Sequence, residues 1–276
     1  SGFIDAAAST GRRHPVARQH LAPAVAEDWD DAAGITVIES GFSTVTTAAG
    51  VVRMTARTVG TVDQRGIFAV GGEVLTREYT AEQVEGEWRI TNPQDGLVIV
   101  QPDFERVYDR LDAFFLDPTG ERVVPDPRYL ITGEAQPTVL VERLFDGPSP
   151  MLRDGVRNPL DGLSLRRAVT VEGSTATVDL TGVPPDSDPP LSDISAQLVW
   201  TLEQGGVRSV EVRIEGDPVR IPGVPAAQTV DDWAAYSADA VPVEAVGHYV
   251  DDGVLRTAAQ GEPAPGPAGE GAYALT

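Results

Sequence analysis

The stretch AQLVWTLEQGGVRSVEVRIEG, residues 196–216, decides how the second half of the chain is read. Ile194, Leu198, Val199 and Leu202 recur at helical spacing, Gly205 and Gly206 mark a stop, and Val207, Val210, Val212 and Ile214 supply a strand. Trp200 on this helix reads as a packing residue rather than a functional one. Working outward, LSLRRAVTVEGSTATVDLTG (163–182) predicts a hairpin turning at Glu172, Gly173 and Ser174, with Val169, Val171, Ala176 and Val178 on one face. TVLVERLFDG (138–147) predicts a helix with a stripe of Val139, Leu140, Leu144 and Phe145, ended by Gly147 and Pro148. FFLDPTGERVVPDPRYL (114–130) reads as a strand, an Asp-Pro-Thr-Gly turn and another extended stretch. Strand, helix, hairpin, helix and strand together predict an α/β sandwich in which helices cover one face of a sheet.

Before this unit the pattern differs. Residues 3–29 predict two helices, with Pro15 at a helix start and Pro23 at a break. Period-two alternation then predicts strands at 36–40, 50–62, 66–70, 73–84 and 87–91, the last two joined by a tight turn at Glu85 and Gly86. The fold class expected is α+β: N-terminal helices and a curved antiparallel sheet, followed by the α/β sandwich. The junction falls near residues 93–108, giving an N-terminal domain over 1–102, a second over 108–220 and an extended segment over 221–276. In that last segment, stretches around Val246–Val250 and Val254–Thr257 predict a hairpin turning at Asp251, Asp252 and Gly253, which is too small to be stable alone.

Composition narrows the chemistry. The chain has 276 residues, 42 Asp and Glu and a formal net charge of −21, and every one of its 21 cations is Arg. Such a field repels phosphate backbones and anionic lipid, so neither nucleic acid nor a bare membrane surface is an expected partner, whereas a basic protein surface is. Without Lys or Cys there is no Schiff base, thiolate nucleophile, Walker A lysine or Cys-ligated zinc. His14 and His20 have no metal-site spacing and read as a solvated helix face. The acidic pairs Asp30/Asp31, Asp186/Asp188, Asp231/Asp232 and Asp251/Asp252 have the wrong spacing for a calcium loop, and DSDPPLSD (186–193) lacks its central glycine and distal glutamate. No nucleophile elbow occurs, and Gly266, Gly269 and Gly271 sit in a Pro-rich tail rather than between a strand and a helix. No catalytic, cofactor or metal residue is therefore assigned. Trp233, Tyr236 and Tyr249 form the one candidate contact set, either an exposed aromatic patch for a protein partner or a packed edge.

The ordered segments GFIDAAAS, ARQHLAP, VAEDWD, VEGEWRITNPQDGLVI, DFERVY, LFDGPSP, ATVDLTG and AQLVWTL resemble the LpqB family of actinobacterial cell-envelope lipoproteins over nearly the whole chain. The resemblance implies that residues 108–220 form a GerMN domain and that the first domain has the helix-plus-curved-sheet form of a nuclear-transport-factor-two-like cone. It implies that the tail leads toward a β-propeller and that a lipid-anchoring Cys precedes the first domain, both outside this chain, so that these residues form a soluble fragment of a protein held on the extracytoplasmic face of the cell membrane. It also implies a non-enzymatic accessory role with no cofactor: binding the extracytoplasmic part of the sensor kinase MtrB and thereby modulating the MtrA/MtrB two-component system. Two other readings stay open from the residues. A ligand-binding module for cell-wall fragments or another small molecule needs a roomy cone or cleft. A hydrolase with two carboxylates needs a cleft with a raised pKa.

Overall fold

The computed structural model describes residues 2–11, 13–184, 187–239 and 247–271. Asp186 of the acidic pair, Val246 at the expected start of the late hairpin and the last five residues of the tail lie outside them. Residues up to Tyr236 form one compact unit, and those from Ser237 onward a second.

The first unit opens with three short helices, α1 (Gly2–Ala7), α2 (Pro15–Arg18) and α3 (Pro23–Ala26), where two were expected. The reason is proline: Pro15 and Pro23 each begin a new helix, because a residue without N–H fits a first turn and breaks an interior. Seven strands follow: β1 (Ile35–Ile38), β2 (Ser43–Ala48), β3 (Val51–Val62), β4 (Phe68–Val70), β5 (Val74–Val84), β6 (Glu87–Ile90) and β7 (Leu97–Val100). They run in the order β6-β5-β3-β1-β7, with β2 and β4 also pairing β3. Only the β1–β7 pair is parallel among these.

Bulges curve this sheet. The register slips between Val37 and Ile38 and between Thr46 and Ala48, and the Gly71–Glu73 stretch interrupts β4 and β5 while Gly71 N still bonds Val59 O at 2.9 Å. Ile4, Ile38, Met54, Ala56, Tyr79 and Val98 form one buried apolar cluster against the sheet. Phe3 of α1 lies over it, with its ring centroid 6.1 Å from that of Tyr79. Glu85 (φ 53°) and Gly86 (φ 85°) make the expected tight turn.

The second half of this unit starts with α4 (Gln101–Val107), which runs directly into β8 (Tyr108–Leu116). β9 (Val123–Ile131), α5 (Gln136–Phe145), β10 (Ser164–Leu165), β11 (Thr170–Glu172), β12 (Thr175–Thr181), α6 (Leu191–Leu202), β13 (Ser209–Ile214) and β14 (Asp217–Pro218) complete it. α6 is the crossover between the parallel strands β12 and β13. Its residues Ile194, Leu198, Val199 and Leu202 are buried in one core with Leu140 and Leu144 of α5 and Val178, Val210 and Val212 of the sheet. Trp200 packs beside that core with its ring 5.8 Å from Phe114. Val171, expected on the buried face, is 42% exposed because β11 is a short edge.

The single sheet implied by the pattern is divided: β8 and β9 pair only with each other, apart from the β10–β14 sheet. α6 closes the free edge of β8 with side chains. Thr201 Oγ1 accepts from Phe114 N at 3.1 Å, and Gln197 Nε2 donates to Phe114 O at 2.9 Å. Just past the helix end, Gln204 Oε1 accepts from Asp112 N at 3.0 Å while its Nε2 donates to Asp112 O at 2.9 Å. Arg157 finishes the row with two backbone bonds to Leu116. Buried backbone polar groups must be paired, and here a helix does what a neighbouring strand would otherwise do.

Residues 219–236 lie against the same core through Val219, Ile221, Val224 and Val230, ending in a 3₁₀ turn at Val230–Tyr236. In the second unit β15 (His248–Asp251) and β16 (Val254–Thr257) form the expected hairpin, with Asp252 (φ 49°) and Gly253 (φ 75°) at its turn. The segment after it folds back: Ala264 N donates to Leu255 O at 2.8 Å and Leu255 N to Ala268 O at 3.1 Å.

Thr201→Val keeps the shape of the side chain but leaves the N–H of Phe114 without an acceptor. It should cost about 1–3 kcal/mol in urea unfolding, and Thr201→Ser should recover most of that. A midpoint unchanged by Thr201→Val would show that the edge contact contributes nothing.

Candidate functional site

The two halves of the first unit meet at the loop between β3 and β4. Asp63 Oδ1 accepts the N–H groups of Arg65 and Ile67 at 2.9 and 2.8 Å and so fixes the turn. Gly66, at φ 79°, comes so close to β9 that a Cβ would stand 3.0 Å from Tyr129 O, and Tyr129 N donates to Gly66 O at 2.8 Å. Arg65 Nη2 reaches the carbonyls of Asp146, Gly147 and Pro148 at 2.9, 2.6 and 2.9 Å, a cation at the negative end of α5. Arg143 Nη1 answers with a bond to Gln64 O at 2.9 Å. Beneath them Tyr129 packs its ring 5.3 Å from both Phe68 and Phe104, and Phe104 stacks on Tyr108 at 4.8 Å. A junction with an apolar centre of this kind holds its halves together where a small polar one permits motion.

Behind it, Arg128 is fully buried and grips Asp126 with two bonds, of 2.8 and 2.9 Å. Ser149 N adds a third bond to that carboxylate at 2.6 Å. Removing one partner of such a pair strands the other charge away from water.

The titratable clusters are structural in geometry. His14, expected on a solvated face, is only 6% exposed; its Nδ1 lies 2.7 Å from Asp31 Oδ2, and Arg18 bonds the other oxygen of Asp31. Arg18 also sits 5.2 Å over the Trp29 ring. Burial acts to raise Asp31, but the hydrogen bonds from His14 and Arg18 together outweigh it and hold the carboxyl below its ordinary range. Glu215 is lowered by the Thr181 hydroxyl and then the Gly182 N–H. Burial likewise opposes the lowering of Asp117, which the bonds from Thr119, Arg122, Glu121 and Gly120 bring about. A general acid needs the opposite displacement. Asp179, 1% exposed, is held by Gly216 N at 2.9 Å and by Arg166 and Arg167 at 3.4 and 3.5 Å. Among the described residues no three His, Asp or Glu side chains converge as metal ligands.

The aromatic residues singled out in the sequence do not form one exposed patch. Trp233 is 6% exposed within the core, with its Nε1 donating to Gln228 Oε1 at 3.0 Å. Tyr236 packs edge-on to it and donates its hydroxyl to Asp193 at 2.9 Å. Tyr249 is 45% exposed and belongs to the second unit. Four exposed apolar residues lie on the first sheet, Trp88 at 58%, Val45 at 61%, Val74 at 68% and Val70 at 86%, while Met151, at 97%, stands apart from it. Trp88 stands on β6 opposite Gln83 of β5. The grooves among the described residues include one of about 280 Å³ beside Gly34, Asp63 and Asp95 and one of about 560 Å³ beside Arg13, Arg18 and Asp28.

A curved sheet with short helices, joined through an aromatic junction to an α/β sandwich, defines a two-module α+β protein whose buried charged clusters, among the described residues, brace the fold. Residues 1–105 match the family described as "Lipoprotein LpqB, N-terminal domain", and residues 112–220 the one described as "Sporulation and spore germination". The chain is 34% identical over 232 residues to lipoprotein LpqB of Rhodococcus opacus, covering 78% of this chain and 39% of that protein. To lipoprotein LpqB of Mycolicibacterium smegmatis it is 34% identical over 235 residues, covering 79% and 40%. The first GerMN domain of the sporulation protein GerM from Bacillus subtilis aligns at 21% identity with a TM-score of 0.37, covering 45% of this chain and 98% of that one. The chain is thus similar to the LpqB lipoproteins, and it spans about two fifths of the length of the curated relatives it matches. No helix among the described residues is long and apolar enough to cross a membrane.

Two titrations check these clusters. Asp31 is lowered in the folded chain, so its contribution is present above the unfolded carboxylate value of roughly 3.9 and is lost as pH falls through the lower native value. Asp31→Asn should therefore flatten the loss of stability in that acid window, and an unchanged acid limb would rule the contribution out. Burial and the bond to Asp193 push Tyr236 up to about 12. Tyr236→Phe should remove a phenol that ionises in that range from the ultraviolet titration.

Proposed function

We propose that this chain is part of a non-enzymatic, lipid-anchored extracytoplasmic protein that binds the extracellular part of the sensor kinase MtrB and so modulates the MtrA/MtrB two-component system. Its similarity to the LpqB lipoproteins, at 34% identity over 232 residues, carries the reading. Three features support it: buried charges that are paired with one another, carboxylates displaced in the direction opposite to a general acid, and exposed apolar residues on a sheet surface. The net charge of −21 favours a basic partner surface. The burial of Met54, Tyr79 and Ile38 together in one apolar cluster of the sheet weighs against the alternative, a small-ligand module with its site in the sheet.

Titration of the chain against the isolated extracytoplasmic domain of the kinase, at low and at physiological salt, tests the proposal. Saturable binding that weakens with salt is the expected result. Binding of cell-wall fragments alone would transfer the function to the ligand reading, and silence with both would withdraw these two modules as the contact.

A further inference from the structure

Several sheet edges of the first unit are protected, each in a different way. β6 is bridged by the segment after α2, with Ile90 N donating to His20 O and Ala22 N to Ile90 O, each at 2.8 Å. β7 is buried, and β8 is closed by α6. β9 carries Pro125 and Pro127. β13 is bridged by Gln228 through two bonds to Val210, and β14 ends in Pro218. Covering, proline and charge are the usual means of keeping an edge from pairing with another chain.

β2 has none of these. Its six residues, STVTTA, are all exposed, include no charge and no proline, and are rich in β-branched side chains. Its ladder with β3 leaves one side free. Which groups face out follows from alternation. Arg57 O accepts from Glu39 N on the β1 and β2 side, while Thr58 N donates to Glu73 O on the opposite side. Odd-numbered residues of β3 therefore bond toward β2. Their partners are Ser43 opposite Thr55 and Val45 opposite Arg53, so the N–H and C=O groups of Thr44 and Thr46 point outward. The bulge after Thr46 limits this free edge to Ser43–Thr46.

We propose that this edge is a docking strand to which a partner protein adds an extended, cationic segment by main-chain pairing. The occupant follows from charge. A second copy would bring −21 against −21, whereas Lys and Arg on a partner strand meet an uncharged edge in the net acidic field of the whole chain, the nearest acids, Glu39 and Glu78, being already paired with Arg57 and Arg53 of β3. The inference deepens the proposed function by naming a surface and a mode for the contact, and it rests on that reading only for the partner's identity.

Two ligands separate the claims: the kinase sensor domain, and an extended peptide of about six residues, a typical strand length, alternating Val and Arg. The readout is amide hydrogen exchange at Thr44 and Thr46, with affinity at two salt concentrations. Thr46→Pro removes an outward donor without touching the β3 ladder. The double variant Thr44→Lys with Thr46→Lys keeps the backbone intact but repels a cation, so it tests the edge even where the proline variant melts early. Protection of both amides on binding, with affinity lost on the order of tenfold in either variant, is the expected result. Sensor-domain binding that both variants leave unchanged would overturn the edge and spare the regulatory proposal. Peptide protection without sensor binding would do the reverse. No protection by either ligand would overturn both, and self-association that grows with salt would replace the cationic occupant by a second copy.

Discussion

The second half of the first unit depends on one substitution of roles: a helix supplies the hydrogen bonds that a strand would ordinarily make. An amphipathic helix satisfies its own backbone and contributes only packing, so it can cover a sheet face but cannot close a sheet edge. Gln197, Thr201 and Gln204 change that, because they reach β8 from one side of α6 and meet the backbone groups of residues 112 and 114. The arrangement has a cost, since Gln197, Thr201 and Ser195 are all fully buried and side-chain amides must be fixed in one rotamer. In return β8 and β9 stand as a two-stranded ribbon inside a core instead of as a marginal hairpin in water.

The same ribbon carries the junction. β9 offers Tyr129 to the loop at Gly66 and positions Arg128 against Asp126, so the face closed by α6 and the face touching the first sheet belong to one short ribbon. A change in either half is therefore felt at Tyr129, where apolar rings and backbone bonds from both meet. Arg65 depends on α5 ending where it does, because the carbonyls it receives are those left open by the last turn.

Much of this was legible in the sequence. The α6 and β13 stretch, the α5 stripe and its Gly147 stop, the hairpin turns at Glu85–Gly86 and Gly173, and the curved antiparallel sheet all follow from periodicity and glycine placement. The resemblance to the LpqB family rested on ordered segments, and both family matches agree with it. What escaped was set by tertiary context. β2 has no apolar alternation because neither of its faces is buried, and β7 reads as a plain apolar run because both of its faces are. His14 looked like a surface residue until Asp31, distant in sequence, folded onto it. Trp233 looked like part of a loop because its core partners lie on α6. The polar positions of α6 were visible as letters, but nothing local says that Gln197 and Thr201 point inward.

The separation along the chain of the groups that close β8 sets an order of events. Asp112 meets Gln204 and Phe114 meets Thr201 across 92 and 87 residues, so the ribbon can form early while its open edge stays bare until α6 has been made and has folded back. Closing so long a loop is an entropic cost that must be met before the bonds reward it, and it slows folding more than it weakens the product. A chain interrupted anywhere before residue 204 would hold an unpaired, apolar-flanked strand, which makes the synthesis of α6 the point at which the nascent protein stops being prone to pair with its neighbours.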